Sequence, residues 1–147
     1  MLFGCASTSA TTKVVSPSQL QNSTVSLDGR LVEVVGVLNL RPDAHNIFES
    51  KELQDELARR IREQDAELDI RSLAQYCLTI SNPIEISWRE KEFQSKRLVV
   101  SGVYSSHYLE EDVVDLGACP RPGALNVDWA DFLNRYSDLV FPVENLN

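Results

Sequence analysis

The feature that most constrains the fold is a strand-like run of apolar residues that a glycine interrupts. In LVEVVGVLNL (31–40), β-branched residues dominate and alternation places four apolar side chains on one face: Val32, Val34, Leu38 and Leu40. Gly36 falls on the same face, in the middle of the run. A glycine inside a strand marks a bulge or a sharp bend, which is how small barrels curl a sheet. The sequence therefore predicts a strongly curved β-sheet.

A second segment echoes this pattern. KRLVVSGV (96–103) shares with GRLVEVVGV (29–37) a basic residue, an apolar pair and a glycine near the middle. A duplicated half-barrel would produce such an echo. The common composition of curled strands produces it as well, and it requires no duplication.

One segment predicts an amphipathic helix. In SKELQDELARRIREQ (50–64), Ser50 is a suitable N-cap, and Leu53, Leu57 and Ile61 recur every four residues as an apolar stripe. Acid–base pairs one turn apart are expected on the exposed side: Asp55–Arg59 and Glu56–Arg60. We expect this helix to lie on the core with its charged side in solvent.

The rest of the chain predicts short strands and connections. YCLTI (76–80) predicts a strand, and RLVVSGVYSS (97–106) with DVVDLGACP (112–120) predicts a hairpin. A turn is expected at Asp28–Gly29. Residues 41–50 are predicted to form a loop, and residues 69–75 a short helix. Because of Pro83, residues 81–96 are predicted to form an irregular segment with a short helix or an edge strand. Residues 126–136 are predicted to form a final helix, whose beginning could equally be a strand.

Short glycine-bent strands with one main helix resemble an OB-fold-type barrel. The phrases DGRLVEVVGVL and SKRLVVSGVY are similar to bacterial envelope proteins of that type. The predicted fold class is α+β, a β-rich small barrel with one main packed helix and further short helices. We expect a single domain over 18–147 that follows a flexible segment over 1–17. OB folds usually carry a helix between the third and fourth strands, whereas only one strand is predicted before the helix here.

The N-terminus resembles a lipoprotein address. Leu2-Phe3-Gly4-Cys5 is similar to the bacterial lipobox, in which Cys5 would carry the lipid, although Phe3 is bulkier than the usual residue. The Ala-, Ser- and Thr-rich stretch 6–18 suits a solvated tether. The resemblance implies a protein that is anchored to the bacterial cell envelope and faces the periplasm. The alternative is a cytoplasmic protein whose N-terminus contains an incidental cysteine.

Two further cysteines bear on the compartment. If Cys5 carries lipid, Cys77 and Cys119 remain as a pair that an oxidising compartment would keep as a disulfide. Two separate buried thiols are the other interpretation. No CxxC pair occurs, so a zinc site is not predicted.

The sequence offers few residues for catalysis. Its two histidines, His45 and His107, fall in predicted loops, and a metal-dependent hydrolase would require both to converge with nearby acids: Asp43, Glu110, Glu111 and Asp112. GxSxG, P-loop and GxGxxG motifs are absent. We therefore predict no enzymatic activity, no cofactor and no metal site.

A binding role remains, carried by aromatic residues near the predicted hairpin: Trp88, Tyr104, His107 and Tyr108. The excess of 22 Asp and Glu over 14 Lys and Arg gives a net charge of -8, which disfavours nucleic-acid backbones. A protein or peptide partner is therefore the favoured ligand. The alternative is a soluble OB-type module that binds single-stranded nucleic acid or an oligosaccharide.

Overall fold

Strands of one sheet and several short helices make up the described part of the chain. A computed structural model describes residues 13–63, 73–108 and 119–136. Its strands are β1 (Val14–Val15), β2 (Leu31–Arg41), β3 (Ala44–Phe48), β4 (Cys77–Ile80), β5 (Arg97–Ser105) and β6 (Ala124–Val127). Its helices are α1 (Pro17–Gln21), α2 (Lys51–Arg62), the 3₁₀ helix Pro83–Arg89, α3 (Glu90–Phe93) and α4 (Trp129–Arg135). None of these helices is long and apolar enough to span a bilayer.

The sheet closes into a barrel. β2 pairs antiparallel with β5 through its first half and with β3 through its second half, and the ring continues from β3 to β4, β6 and β5. β4 and β6 pair in parallel, and the other barrel pairings are antiparallel. The predicted fold class, a small β-rich α+β barrel, is confirmed. Counted from β2, the strand order is 1-2-3-5-4, which is the order of OB-fold barrels.

The two glycine-interrupted runs form the strands that close this ring. In the β2–β5 ladder, Gly36 lies opposite Leu98 and Gly102 lies opposite Val32. A Cβ atom on Gly36 would lie 2.6 Å from the backbone oxygen of Phe48. A Cβ atom on Gly102 would overlap the backbone of β6. Neighbouring strands therefore approach β2 and β5 too closely for any side chain at these two positions.

The barrel interior holds the main core. The apolar face predicted for β2 is buried there, as are fully buried residues from the other strands: Ile47, Leu78, Ile80, Val100 and Leu125. The predicted turn at Asp28–Gly29 joins this core to the chain before it, with Gly29 at a φ of 76°. Asp28 accepts hydrogen bonds from the Ser106 backbone and hydroxyl at 2.7 and 3.0 Å, and these bonds lower the pKa of its carboxyl. The turn is therefore fixed against the end of β5.

Helices close one end of the barrel. The 3₁₀ helix and α3 bury Ile86 and Phe93 in the core, and α4 adds Trp129 and Phe132, whose rings meet edge to face at 5.3 Å. The segment after Pro83 is thus a helical connection between the third and fourth barrel strands. That is the position at which OB folds usually carry a helix.

The prediction of a loop over 41–50 is wrong, because this segment contains β3. A two-residue turn at Pro42–Asp43 reverses the chain, and Arg41 then pairs with Ala44. Proline pre-sets the backbone of such turns, and aspartate tolerates their second position. The polar residues His45 and Asn46 hid the strand, because both are buried without being apolar.

The main helix packs through two of its three predicted apolar residues, and one ion pair differs. Leu53 and Leu57 pack on an apolar cluster, whereas Ile61 is 58% exposed. Ser50 caps α2 by accepting a hydrogen bond from the Leu53 N–H at 3.2 Å. The predicted Glu56–Arg60 pair forms at 2.7 Å, whereas the predicted Asp55–Arg59 pair does not. Asp55 pairs instead with Lys51 in the preceding turn, and Arg59 pairs with Glu56 and Glu63.

Some expectations fall outside the described residues. Most of the predicted helix over 69–75, and most of the strand predicted over 112–120, belong to the undescribed ranges 64–72 and 109–118. The described antiparallel partner of β5 on that side is β6. The segment over 126–136 contains the end of β6 and then α4, so both predicted alternatives occur in succession. Within the described residues, Val14 and Val15 already pair with β2, at positions that precede residue 18.

Candidate functional site

The residues predicted to form an aromatic binding surface lie in two separate regions. Trp88 is on the 3₁₀ helix and is 75% exposed. Tyr104, near the end of β5, is 8% exposed and belongs to the barrel core, where burial raises the pKa of its hydroxyl. His107 is exposed in the turn after β5, and Tyr108 is half-buried and donates its N–H to the Pro122 carbonyl at 2.9 Å.

The exposed ring of Trp88 is held by a neighbouring cation. The Arg89 guanidinium lies 5.4 Å from the centre of the Trp88 ring and 5.2 Å from that of Phe93. Arg89 also bonds to Glu92, which lowers the pKa of that carboxyl. Cation–π contact of this kind fixes an exposed ring without burying it.

The described residues of the hydrolase alternative, Asp43, His45 and His107, do not share one element, and its other acids, Glu110, Glu111 and Asp112, lie outside the described residues. His45 is 6% exposed and pairs with Leu40 in the β2–β3 hairpin. Asp43 is exposed in the turn of that hairpin and forms an ion pair with Arg41 at 3.3 Å, and His107 follows β5. Within residues 13–63, 73–108 and 119–136, no group of three or more His, Cys, Asp or Glu side chains is arranged to hold a metal ion.

The face that OB folds commonly use for ligands is largely covered here. In such barrels, oligonucleotides and oligosaccharides lie on the second and third strands, which correspond to β3 and β4. Leu53 and Leu57 of α2 pack on this side against a second apolar cluster: Val37, Phe48, Cys77 and Cys119. Cys119 is joined to Cys77 by a disulfide, and its N–H donates to the Thr79 hydroxyl at 2.8 Å. A helix and a cross-linked segment therefore occupy most of the face.

One part of that side stays open as a groove of about 350 Å³. It runs between α2 and the outer surface of the β2–β3 hairpin. Four carboxamide side chains line it: Asn39, Asn46, Gln54 and Gln94. We call it the amide groove.

Two of these carboxamides are bonded to each other and to the sheet. Gln94 accepts a hydrogen bond from the Leu40 N–H at 2.8 Å and donates to Asn39 Oδ1 at 2.7 Å. Its side chain thus continues the pairing of β2 beyond the start of β5. The next residue, Ser95, lines the groove with a φ of 63°, a left-handed conformation that is costly for a residue with a side chain.

The other two carboxamides carry unpaired acceptors. Asn46 lies directly opposite Asn39 in the β2–β3 ladder and is only 6% exposed. Its Oδ1 atom is buried and has no donor among the described residues, and the same is true of Gln54 Oε1. Burying a polar atom without a partner costs about 1–3 kcal/mol. Both acceptors therefore lack a partner among the described residues, and both belong to side chains that line the groove.

The charges at the groove are already paired within the protein. Arg41 pairs with Asp43, and Lys51 pairs with Asp55. All four of these side chains are more than half exposed. The rim therefore presents paired charges, and the floor presents neutral amides.

The chain has no match among protein-family models, curated proteins or solved structures. The groove's own atoms define what it can bind. Its buried acceptors require hydrogen-bond donors. Its helical wall, which includes Leu57, Ala58 and Ile61, offers apolar surface.

Sequence reasoning did not single out the four carboxamides. Asn39 and Asn46 are seven residues apart across the Pro42–Asp43 turn, and only the register of the hairpin makes them neighbours. The Pro-Asp dipeptide was the available signal, because a two-residue turn at that point fixes the register. No comparable signal in the sequence connects Gln94 with Asn39.

Proposed function

We propose that this protein is a non-catalytic binding module, anchored to the bacterial cell envelope by a lipid on Cys5, that binds a protein or peptide partner on the periplasmic side. The observation that carries the binding role is the amide groove with its two buried acceptors, Asn46 Oδ1 and Gln54 Oε1. An unpaired buried carbonyl destabilises the free protein. A partner that donates to it recovers that free energy on binding.

The proposed location rests on the sequence and on one structural feature. Leu2-Phe3-Gly4-Cys5 resembles a lipobox, and these residues lie outside the described part of the chain. The disulfide between Cys77 and Cys119 supports an oxidising compartment, because the cytoplasm keeps most thiols reduced. The composition of the stretch 6–18, which is dominated by Ala, Ser and Thr, suits a tether.

Two observations favour a protein or peptide over a nucleic acid. α2 and the disulfide-linked segment occupy most of the barrel face that would take an oligonucleotide. The net charge of -8 repels phosphates, and the cations at the groove are paired with Asp43 and Asp55. Both observations disfavour a nucleic-acid ligand.

The location is tested by the intact mass of the protein expressed from its full gene, with wild type beside Cys5→Ala. We expect a diacyl or triacyl increment that the substitution removes, and recovery of the wild type in the membrane fraction. Treatment with an alkylating reagent before reduction should leave Cys77 and Cys119 unmodified. A soluble, unacylated wild type with alkylated Cys77 would contradict the envelope location.

The binding role is tested with a library of uncharged hexapeptides built from Ala, Ser, Thr, Val and Leu. Peptides that bind are titrated into ¹⁵N-labelled protein, and shifted amide signals should map to the amide groove. Ala58→Trp fills the groove and should abolish binding. Arg62→Trp is the matched control on the same helix, because Arg62 is exposed and does not line the groove. Equal binding by the two variants would contradict a role for the groove.

A further inference from the structure

The amide groove also indicates how its ligand is held, an inference that rests on the binding role proposed above. We infer that the ligand is an extended, uncharged peptide segment whose backbone N–H groups donate to Asn46 Oδ1 and Gln54 Oε1. One apolar side chain of the same segment then packs on the α2 wall beside Ile61. Recognition is thus mainly of backbone, with one position that selects an apolar side chain.

The need for donors comes from the two unpaired acceptors. Gln94 has both ends of its carboxamide engaged, and it occupies Asn39 Oδ1. Asn46 Oδ1 and Gln54 Oε1 are buried without a donor among the described residues. When these two carboxamides turn their oxygens toward the groove, a ligand that brings N–H or O–H groups pairs with a β-strand on one side and with a helix on the other. An extended peptide carries such N–H groups along its length at regular intervals.

The ligand is inferred to be uncharged because of the charges at the rim of the groove. Arg41 and Lys51 each already pair with an acidic residue, so neither offers a free charge to an anionic ligand. A cationic ligand would have to compete for the same exposed acids, whose interactions solvent screens. An uncharged segment disturbs neither pair.

Residues near the end of α2 indicate why the ligand should carry an apolar side chain at one position. Leu57 and Ile61 are one turn apart on the helix and both line the groove. Ile61 is 58% exposed, although the preceding residues of the same stripe pack on the second cluster. A Leu or Val side chain of the ligand would cover Ile61 and remove apolar surface from water.

The lining residues favour a peptide over a sugar. Carbohydrate sites commonly offer an open aromatic ring on which the apolar face of a pyranose stacks. Phe48 is the aromatic residue among the described lining residues, and it is only 3% exposed. The groove therefore supplies amides and aliphatic surface, which match a peptide.

The inference is tested by N-methylating, one at a time, the backbone nitrogens of the tightest hexapeptide from the library. Methylation removes a donor and leaves the side chains unchanged. We expect one or two positions at which affinity falls at least tenfold and little change at the others. Each Leu and Val of that peptide is then replaced by Ser, and one replacement should weaken binding in wild type and have no effect in Ile61→Ser.

Protein variants supply a second readout. Gln54→Leu removes the acceptor, whereas Gln54→Glu keeps an acceptor at nearly the same place, and both residues favour helix. We expect Gln54→Leu to lose about tenfold in affinity, Gln54→Glu to retain binding, and ¹⁵N spectra to show both folded. The N-methyl position that is sensitive in wild type should become insensitive in Gln54→Leu or in Asn46→Leu.

The outcomes separate this inference from the proposed function. If peptides bind in the groove and no N-methyl position matters, backbone recognition is overturned and the binding role stands. If no peptide binds, both fail. In that case binding of chitotetraose with shifts at the same groove would assign the site to a saccharide.

Discussion

At the scale of single residues, two glycines without a Cβ atom and two carboxamide oxygens without a hydrogen-bond donor characterise this barrel. Gly36 and Gly102 allow neighbouring backbones to approach where a Cβ would collide. Asn46 and Gln54 place carbonyl oxygens where nothing in the described structure donates to them. The glycines serve closure of the sheet, and the two unpaired carboxamide oxygens lower the stability of the free protein.

Gly36→Ala should destabilise the protein by roughly 2–3 kcal/mol, because the added methyl group meets the backbone of β3 as well as a side chain. Backbone in a closed barrel cannot move aside as the end of a flexible side chain can. Urea denaturation followed by circular dichroism measures the change in the free energy of unfolding.

Gly29→Ala is the control for this substitution. A Cβ at Gly29 meets nothing within 4 Å, and its cost comes from the positive φ alone. We expect a loss of about 1 kcal/mol there. A Gly36→Ala protein that is as stable as wild type would show that the strands do not approach as closely as described.

At the scale of elements, α2 has two different jobs along its length. Leu53 and Leu57 cover the disulfide-containing cluster, and neighbouring positions that include Gln54, Ala58 and Ile61 line the amide groove. The exposed side is held by ion pairs in which Arg59 contacts both Glu56 and Glu63. Stability of the helix and shape of the groove are therefore linked.

The Glu56 carboxyl reports on this helix through its pKa. Hydrogen bonds from Arg59 and then Arg60 lower the pKa of Glu56 from 4.5 to about 2. Since the folded pKa is the lower one, the stabilising contribution is present above pH 4.5 and is lost as the pH falls toward 2. The contribution is small because the groups are exposed. A carboxyl-detected NMR titration should find the low midpoint in wild type.

Arg59→Gln should move this midpoint back toward 4.5, and further than Arg60→Gln does, because the Arg59 bond is the larger cause. Between pH 4.5 and 2, the free energy of unfolding should fall less in Glu56→Gln than in wild type. A wild-type midpoint already near 4.5 would contradict the hydrogen bonds that Arg59 and Arg60 donate to Glu56.

At the scale of the whole molecule, the glycine-bent strands were the part that the sequence could predict. Alternation of Val32, Val34, Leu38 and Leu40 with Gly36 was enough to identify a curled strand and a small β-rich barrel. β3 was missed because its buried residues include His45 and Asn46, which break the apolar pattern. The helical connection after Pro83 was uncertain because proline fits both an edge strand and the first turn of a helix.

The candidate site was beyond sequence reasoning for a different reason. Aromatic residues such as Trp88 are conspicuous in a sequence, whereas carboxamides are common and become a site only when several share one surface. Gln94 and Asn39 are 55 residues apart in the chain and meet because β5 begins beside the end of β2. Such long-range contacts follow from barrel closure, which local patterns do not encode.

The short strand β1 has a consequence for how the molecule would respond to mechanical load. Val14 and Val15 pair in parallel with Glu33 and Val34, whereas the β2–β5 ladder has seven residue pairs. Among the described residues, a pull from the N-terminal side meets the two-residue pairing before the barrel. β1 would therefore detach at a lower force than the β2–β5 ladder, and each released residue would lengthen the chain by about 3.3 Å before the load reaches the barrel.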